Sequence, residues 1–143
     1  MRAPVGVPRP VERFNPGAFS YYDRLTPVLQ FVNAHISKPI SLDDAAKLAG
    51  LERKYFSAFF HSKVGTTFSE WLRMVRVHRA MDVMRAHDDT IPRIAYASGF
   101  RDVRTFERAF KRYVGVSPSA YRSLVRPEHD GCRDVHDWRR AVP

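Results

Sequence analysis

The side chains with the clearest chemistry in this sequence lie in two short segments about fifty residues apart. They are Lys54, Ser57, Ala58 and His61 in the first segment, and Arg104, Glu107, Arg108 and Lys111 in the second. Arginine can donate two hydrogen bonds to O6 and N7 of guanine, glutamate can accept one from N4 of cytosine, and alanine can contact the methyl group of thymine. These residue types predict two surfaces that read the base edges of double-stranded DNA.

Both segments belong to a repeated pattern of apolar residues and glycines. The two copies are Ala46…Gly50…Phe56…Phe60…Gly65 and Ala95…Gly99…Phe106…Phe110…Gly115. In each copy a short apolar helix, 42–49 or 91–98, reaches a glycine where the turn needs a backbone free of Cβ strain. A second helix then buries its phenylalanines and exposes the opposite face, which carries the side chains named above. This pattern predicts two helix-turn-helix units, each with its second helix directed outward for a DNA major groove.

The two predicted recognition helices differ in their side chains. The second carries two arginines and a glutamate that can pair with guanine and cytosine, whereas Ser57 and Ala58 of the first are small. Polar readout by the first helix therefore depends on Lys54 and His61. We expect the second unit to dominate discrimination between DNA sequences and the first mainly to dock.

The segment between the two copies, residues 67–86, is predicted to be one long helix. Thr67 and Glu70 have the spacing of a capping box at its start. Its apolar residues form two nearly opposite stripes, Phe68, Trp71, Leu72 and Val75 on one and Val77, Ala80, Met81 and Met84 on the other. One helix is thus expected to serve two cores. Twenty residues span roughly 30 Å, close to the ~34 Å between successive major-groove faces on one side of DNA.

These motifs resemble the DNA-binding domain of the AraC/XylS transcriptional regulators over about Leu25 to Arg122. The resemblance rests on Ser41-Leu-Asp-Asp-Ala-Ala-Lys-Leu-Ala-Gly-Leu51, Phe60…Gly65, Arg76…Ala80 and Ile94-Ala…Gly99-Phe100…Thr105-Phe106…Phe110-Lys111…Gly115-Val116-Ser117-Pro118…Tyr121-Arg122. It implies an all-α fold of about seven helices, with two helix-turn-helix lobes joined by a long linker helix. It also implies a monomer that binds an asymmetric DNA site and activates transcription through contact with RNA polymerase.

The chain is expected to divide into five segments. They are a weakly ordered arm over 1–24, a first lobe over 25–66, the linker helix over 67–86, a second lobe over 87–126 and a polar tail over 127–143. The first lobe should open with Thr26 as N-cap and Pro27 as the first helical residue. Because Met1 opens the chain without an obvious tag, a small stand-alone regulator is favoured over an excised piece of a longer one.

Positive charge is concentrated where the motifs lie. The formal net charge is +9, and 19 of the 24 basic residues are arginine, which suits bidentate contacts to phosphate and guanine. The candidates for contact with the DNA backbone are cations beside the recognition helices and residues that open the preceding helices, namely Ser41, Arg53, Lys63, Ile91, Arg93, Arg101 and Arg112. The resemblance favours a packing role for Arg76.

Other classes of function find little support in the sequence. No apolar run could span a membrane and no secretory signal is present, so we expect a cytoplasmic, nucleoid-associated protein. The single Cys132 excludes an internal disulfide. His129, Asp130, Cys132, Asp134, His136 and Asp137 of the tail match no metal-site spacing. No phosphate-binding loop or nucleophile elbow appears, so neither enzymatic activity nor a cofactor is expected.

Two alternatives remain open at this level. One is a non-specific architectural protein that bends DNA without choosing a sequence. The other is a protein-interaction module whose basic faces bind an acidic partner. Such a module would show no salt-sensitive binding to duplex DNA.

Overall fold

The computed structural model describes residues 14–126, and over this range all regular secondary structure is α-helical. The eight helices found there are α1 (Ala18–Tyr21), α2 (Thr26–Ala34), α3 (Leu42–Ala49), α4 (Arg53–Val64), α5 (Phe68–Ala86), α6 (Ile91–Ala97), α7 (Val103–Val114) and α8 (Pro118–Val125). The predicted all-α class is confirmed, with α3–α4 and α6–α7 as the two helix-turn-helix pairs and α5 as the long helix between them.

The additional helix, α1, lies in the segment for which weak order was predicted. Residues 14–24 are instead packed on the first lobe, with Ala18 and Phe19 buried. The Phe19 ring stacks on Trp71 at 4.8 Å between centroids, and the Asn15 amide donates to the Val64 carbonyl at 2.7 Å. The prediction of a weakly ordered arm is therefore wrong for residues 14–24, because it considered composition and not these distant partners. The rest of the arm and the tail over 127–143 lie outside the described residues.

The described chain forms two compact units, with the division between Val75 and Arg76 inside α5. The first unit has a core of aromatic and small apolar residues from α1 to the start of α5, in which Phe56, Phe60 and Trp71 are almost fully buried. Small residues of α3, including Ala45 and Ala49, let that helix approach the phenylalanines of α4 closely.

The second unit repeats this plan with residues from Arg76 onward. Phe106 and Phe110 of α7 are completely buried, and the Phe110 ring makes an edge contact with Tyr121 of α8 at 5.5 Å. Other buried apolar side chains of this unit include Val77, Ala80, Met81, Met84, Ile94, Ala95, Phe100, Ala109, Tyr113 and Val114.

Helix α5 contributes one stripe to each core, as its sequence predicts. Phe68, Trp71 and Leu72 belong to the core of the first unit, with Val75 partly buried against it. The opposite stripe is buried in the second unit. At the start of α5 the Thr67 hydroxyl oxygen accepts a hydrogen bond from the Glu70 amide at 3.2 Å, which caps the helix.

The start of α2 differs from the prediction by one residue. Leu25 occupies the N-cap position and Thr26 is the first helical residue, with Pro27 next. The Thr26 hydroxyl donates to the Phe19 carbonyl at 2.8 Å instead of capping α2. The hydroxyl therefore ties α1 to α2, a role that depends on a residue seven positions earlier in the chain.

Candidate nucleic-acid interface

The first helix-turn-helix is fixed by local hydrogen bonds at both ends of α3. Ser41 and Asp44 form a capping box, in which the Asp44 amide donates to the Ser41 hydroxyl at 3.0 Å and the Ser41 amide donates to the Asp44 carboxylate at 3.3 Å. Hydrogen bonds from the side chain and backbone of Ser41 hold the pKa of Asp44 below its ordinary value. At the other end Gly50 has a φ of 70°, a left-handed conformation that glycine adopts without strain.

Arg24 also fixes this turn, a role that no sequence pattern indicates. Its guanidinium Nη1 donates to the carbonyl oxygens of Ala49 at 2.8 Å and Gly50 at 3.3 Å. These carbonyls lie at the C-terminal end of α3, where a positive charge is favourable. Arg24 thus positions the turn that leads into α4, although it comes from the segment before α2.

All four base-reading candidates of α4 are exposed on one face of the helix. They are Lys54, Ser57, Ala58 and His61. This face forms one wall of an open hollow of about 790 Å³ on the first unit. The residues that line the hollow are Leu42, Arg53, Lys54, Ser57, Ala58, His61, Ser62 and Thr67.

The four candidates of α7 are likewise exposed on the face opposite Phe106 and Phe110. They are Arg104, Glu107, Arg108 and Lys111. The start of α7 is capped by Asp102, whose carboxylate accepts from the Thr105 amide at 2.7 Å and from the Thr105 hydroxyl at 2.9 Å. These two hydrogen bonds lower the pKa of Asp102. The cap could have been predicted, because aspartate is a preferred N-cap residue.

The candidates of the first unit for contact with the DNA backbone differ in their exposure and in the groups beside them. Ser41 is exposed at the start of α3, and exposed Arg53 lies 3.9 Å from the Asp43 carboxylate. Lys63 is only partly exposed, and its ammonium group lies 5.2 Å from the centre of the Tyr22 ring. By helical geometry Lys63 is on the same side of α4 as Phe56, so the structure does not bring it to the face that carries the base-reading candidates.

The backbone candidates of the second unit surround α6 and the start and end of α7. Arg93 and Arg101 are exposed, and Nε of Arg93 lies 3.4 Å from the Asp89 carboxylate. Arg112 is exposed near the end of α7, with its guanidinium carbon 5.5 Å from the Tyr113 ring centre. Ile91, the first residue of α6, is partly buried, and the cap of this helix is the preceding residue, Thr90.

Two further arginines of the second unit, Arg76 and Arg122, interact with the fold itself. Arg76 is partly buried, and this burial lowers its pKa, with a further contribution from the positive charge of Arg101. Arg122 donates from Nη1 to the Asp89 carbonyl at 2.7 Å, which ties α8 to the connection that precedes α6. Sequence patterns do not reveal such a contact, because its acceptor is a backbone carbonyl 33 positions away.

The two units carry different net charges. Residues 14–75 include seven basic and five acidic side chains, for a net charge of +2, whereas residues 76–126 include eleven and five, for a net charge of +6. The unit with the more basic recognition face is therefore also the one with the larger overall attraction for a polyanion.

Metal binding and membrane insertion find no support in the part of the chain that the structure covers. Residues 14–126 contain no group of three or more histidine, cysteine, aspartate or glutamate side chains placed to hold a metal ion. The candidate ligands of the tail lie outside this range. Among the same residues no helix combines the length and apolar character needed to cross a bilayer.

Comparisons with known proteins agree with this architecture. The family described as a helix-turn-helix domain matches residues 45–123, more than half of the chain. The HTH-type transcriptional regulator GlxA of Rhizobium meliloti (strain 1021) is 32% identical over 98 residues, which are 68% of this chain and 30% of GlxA. The probable transcriptional regulator LumQ of Photobacterium leiognathi is 28% identical over 106 residues, 73% of this chain and 43% of LumQ. The chain thus spans less than half the length of these relatives.

Solved structures match across most of the chain. The DNA-binding domain of the global transcriptional factor AdpA, solved in complex with a target DNA, has a TM-score of 0.70 and 27% identity, and the match covers 78% of this chain and all of that one. An AraC-type transcriptional regulator from Chromobacterium violaceum has a TM-score of 0.68 and 25% identity, and the match covers 79% of this chain and 99% of that one. The chain therefore belongs to the AraC-type helix-turn-helix family of DNA-binding transcription regulators.

Proposed function

We propose that this chain is a sequence-specific regulator that inserts α4 and α7 into adjacent major grooves of double-stranded DNA. The observation that carries the proposal is the exposed face of α7. There four charged side chains that can pair with base edges lie opposite two completely buried phenylalanines. The match to the AdpA domain, which was solved with its target DNA, supports this choice of partner.

In this proposal α7 supplies most of the discrimination between sequences. Arg104 and Arg108 donate to guanine, Glu107 accepts from cytosine, and Lys111 donates to a neighbouring acceptor. Helix α4 contributes fewer polar groups to its groove, namely Lys54, His61 and Ser57. The net charges of +6 and +2 on the two units favour the same ranking.

Phosphate contacts hold both helices in register with the DNA. We assign them to the exposed cations Arg53, Arg93, Arg101 and Arg112, and to the helix starts at Ser41 and Ile91. Lys63 is left out because it is only partly exposed and lies on the packed side of α4, with its ammonium group over the Tyr22 ring. Such contacts add affinity for every sequence and make binding sensitive to salt.

The first experiment is selection of bound duplexes from a fully randomised DNA pool at physiological salt, followed by sequencing. We expect an asymmetric motif with two blocks about ten base pairs apart, centre to centre. Binding without enrichment would contradict the proposal and favour an architectural DNA binder, an alternative that the small Ser57 and Ala58 support for the first lobe. Absence of duplex binding would instead favour a protein-interaction module.

A single substitution tests which lobe reads sequence. Arg104→Ala should weaken binding to the selected site by about 1–3 kcal/mol and relax one base position. The matched control is Arg79→Ala, which removes one exposed positive charge from α5 instead of α7. Equal losses on selected and random DNA for Arg104→Ala would contradict a role in base reading.

The proposal extends to the effect on transcription. We propose that the chain binds its site as a monomer, contacts RNA polymerase and activates from there, and that it acts in the cytoplasm on the nucleoid. In vitro transcription from a promoter that carries the selected site should rise with protein concentration. A decrease would identify a repressor, and a sedimentation mass of two chains per site would contradict the monomer.

A further inference from the structure

The hollow on the first unit has a mainly apolar surface beside the exposed face of α4. Apolar atoms form most of its lining, with Leu42 of α3 and Ala58 of α4 among the contributors. Ser57 and Ala58 are exposed at its wall and are too short to reach far into a groove. At these two positions the base edges must therefore come close to the helix itself, because the side chains of Ser57 and Ala58 do not extend to them.

The chemistry of the major groove limits what can fit an apolar surface there. The base edges present hydrogen-bond donors and acceptors, together with one apolar group, the 5-methyl of thymine. A donor or acceptor placed against an apolar wall loses water without gaining a partner, which is unfavourable. A methyl group at the same place removes apolar area from water, which is worth roughly a fourfold change in affinity.

Basic side chains flank Ser57 and Ala58 on the wall of the hollow. Lys54 and His61 lie one turn before Ser57 and Ala58 and one turn after them on the exposed face of α4, and Arg53 adds a third basic residue to the lining. This arrangement suits a polyanion whose backbone passes the basic side chains while its base edges face the apolar centre.

We propose that the hollow of the first lobe receives the 5-methyl groups of thymines, so that this lobe selects thymine by apolar contact. The inference rests on the proposed function, because it assumes that α4 lies in a major groove. The positions equivalent to Ser57 and Ala58 in the second lobe are Glu107 and Arg108, so that lobe reads polar groups instead. The two lobes thus recognise different chemical features of one site.

Replacement of thymine by deoxyuridine tests this inference directly, because it removes the methyl group and keeps the hydrogen-bonding edge. In the selected site, the block that relaxes with Arg104→Ala belongs to the second lobe, and the other block belongs to the first. Each thymine in the first-lobe block is replaced singly, and affinity is measured at fixed salt. We expect a loss of roughly fourfold for at least one position and little change in the second-lobe block.

A protein variant supplies the complementary test. Ala58→Asn places a polar amide in the hollow at an exposed helix position, and it should abolish the difference between thymine and deoxyuridine. The control is Leu48→Ser, which changes an exposed apolar residue of α3 that does not line the hollow. Circular dichroism checks that both variants are folded.

The outcomes separate this inference from the function on which it rests. A first-lobe block without thymine, or equal affinity for thymine and deoxyuridine there, would overturn the methyl-reading role while sequence-specific binding still stood. A pool selection that yields no motif would overturn the proposed function itself. A methyl effect confined to the second-lobe block would also reject the inference.

Discussion

The turn between α3 and α4 offers a quantitative test of how the first recognition helix is held. Gly50 has a φ of 70°, and a Cβ added there would lie 3.2 Å from Nη1 of Arg24. Gly65 ends α4 with a φ of 95°, and its nearest neighbour would be the Phe14 Cα at 4.0 Å, an ordinary contact. Alanine at Gly65 therefore adds backbone strain alone, whereas alanine at Gly50 also displaces the guanidinium that caps α3.

These distances set the expected magnitudes. A non-glycine residue in the left-handed region costs about 1–2 kcal/mol, so Gly65→Ala should lower the free energy of unfolding by that amount. Gly50→Ala should cost about 1 kcal/mol more, since it also weakens a partly buried, charge-assisted hydrogen bond to the Ala49 carbonyl. In an Arg24→Ala background the guanidinium is absent, and Gly50→Ala should then cost the same as Gly65→Ala.

Trp71 provides the assay because it is 1% exposed in the same unit as both glycines. The chain has two tryptophans, so all variants carry Trp138→Phe to leave one fluorophore. Urea unfolding followed by Trp71 fluorescence gives the four free energies of the cycle for Gly50 and Arg24. Equal costs for Gly50→Ala and Gly65→Ala, with no coupling to Arg24, would refute the capping role of Arg24.

Three further predictions concern the second unit. Ser98→Ala should raise the free energy of unfolding by up to about 1 kcal/mol, because the Ser98 hydroxyl is 0% exposed and has no hydrogen-bond partner; a lower Tm would contradict this. Asp102 has a lowered pKa in the folded state, so its stabilising effect is present above about pH 4 and is lost as pH falls through the folded pKa. Asp102→Asn keeps an acceptor for the Thr105 amide and should flatten the acid limb of the unfolding curve, whereas an unchanged acid limb would argue against the cap. Arg122→Ala removes the hydrogen bond to the Asp89 carbonyl and should speed hydrogen exchange at the start of α6, which unchanged protection would disprove.

Local features of the structure follow from the sequence, because their causes lie within a few residues. Gly50 and Gly99 have positive φ, as their positions after the first helix of each pair predict. Helix α3 has the predicted bounds, and the phenylalanines of α4 and α7 are buried. The exposed face of each recognition helix follows from the same periodicity.

The repeat and the two stripes of α5 are also readable without a structure. Burial of two opposite stripes requires a core on each side, and the division of the described chain between Val75 and Arg76 is what that pattern implies. The charge difference between the two units is likewise a property of the sequence alone.

The tertiary structure alone decided the features whose partners are distant along the chain. Composition predicts weak order for residues 14–24, yet Phe19 packs on Trp71, 52 positions later, and this burial orders α1. Lys63 has the charge of a phosphate ligand, but the Tyr22 ring lies beside its ammonium group. Arg24 and Arg122 donate hydrogen bonds to distant backbone carbonyls, and no side-chain pattern reveals these contacts. Sequence periodicity thus determined which faces are buried and which are exposed, whereas long-range packing determined which charged side chains interact within the fold.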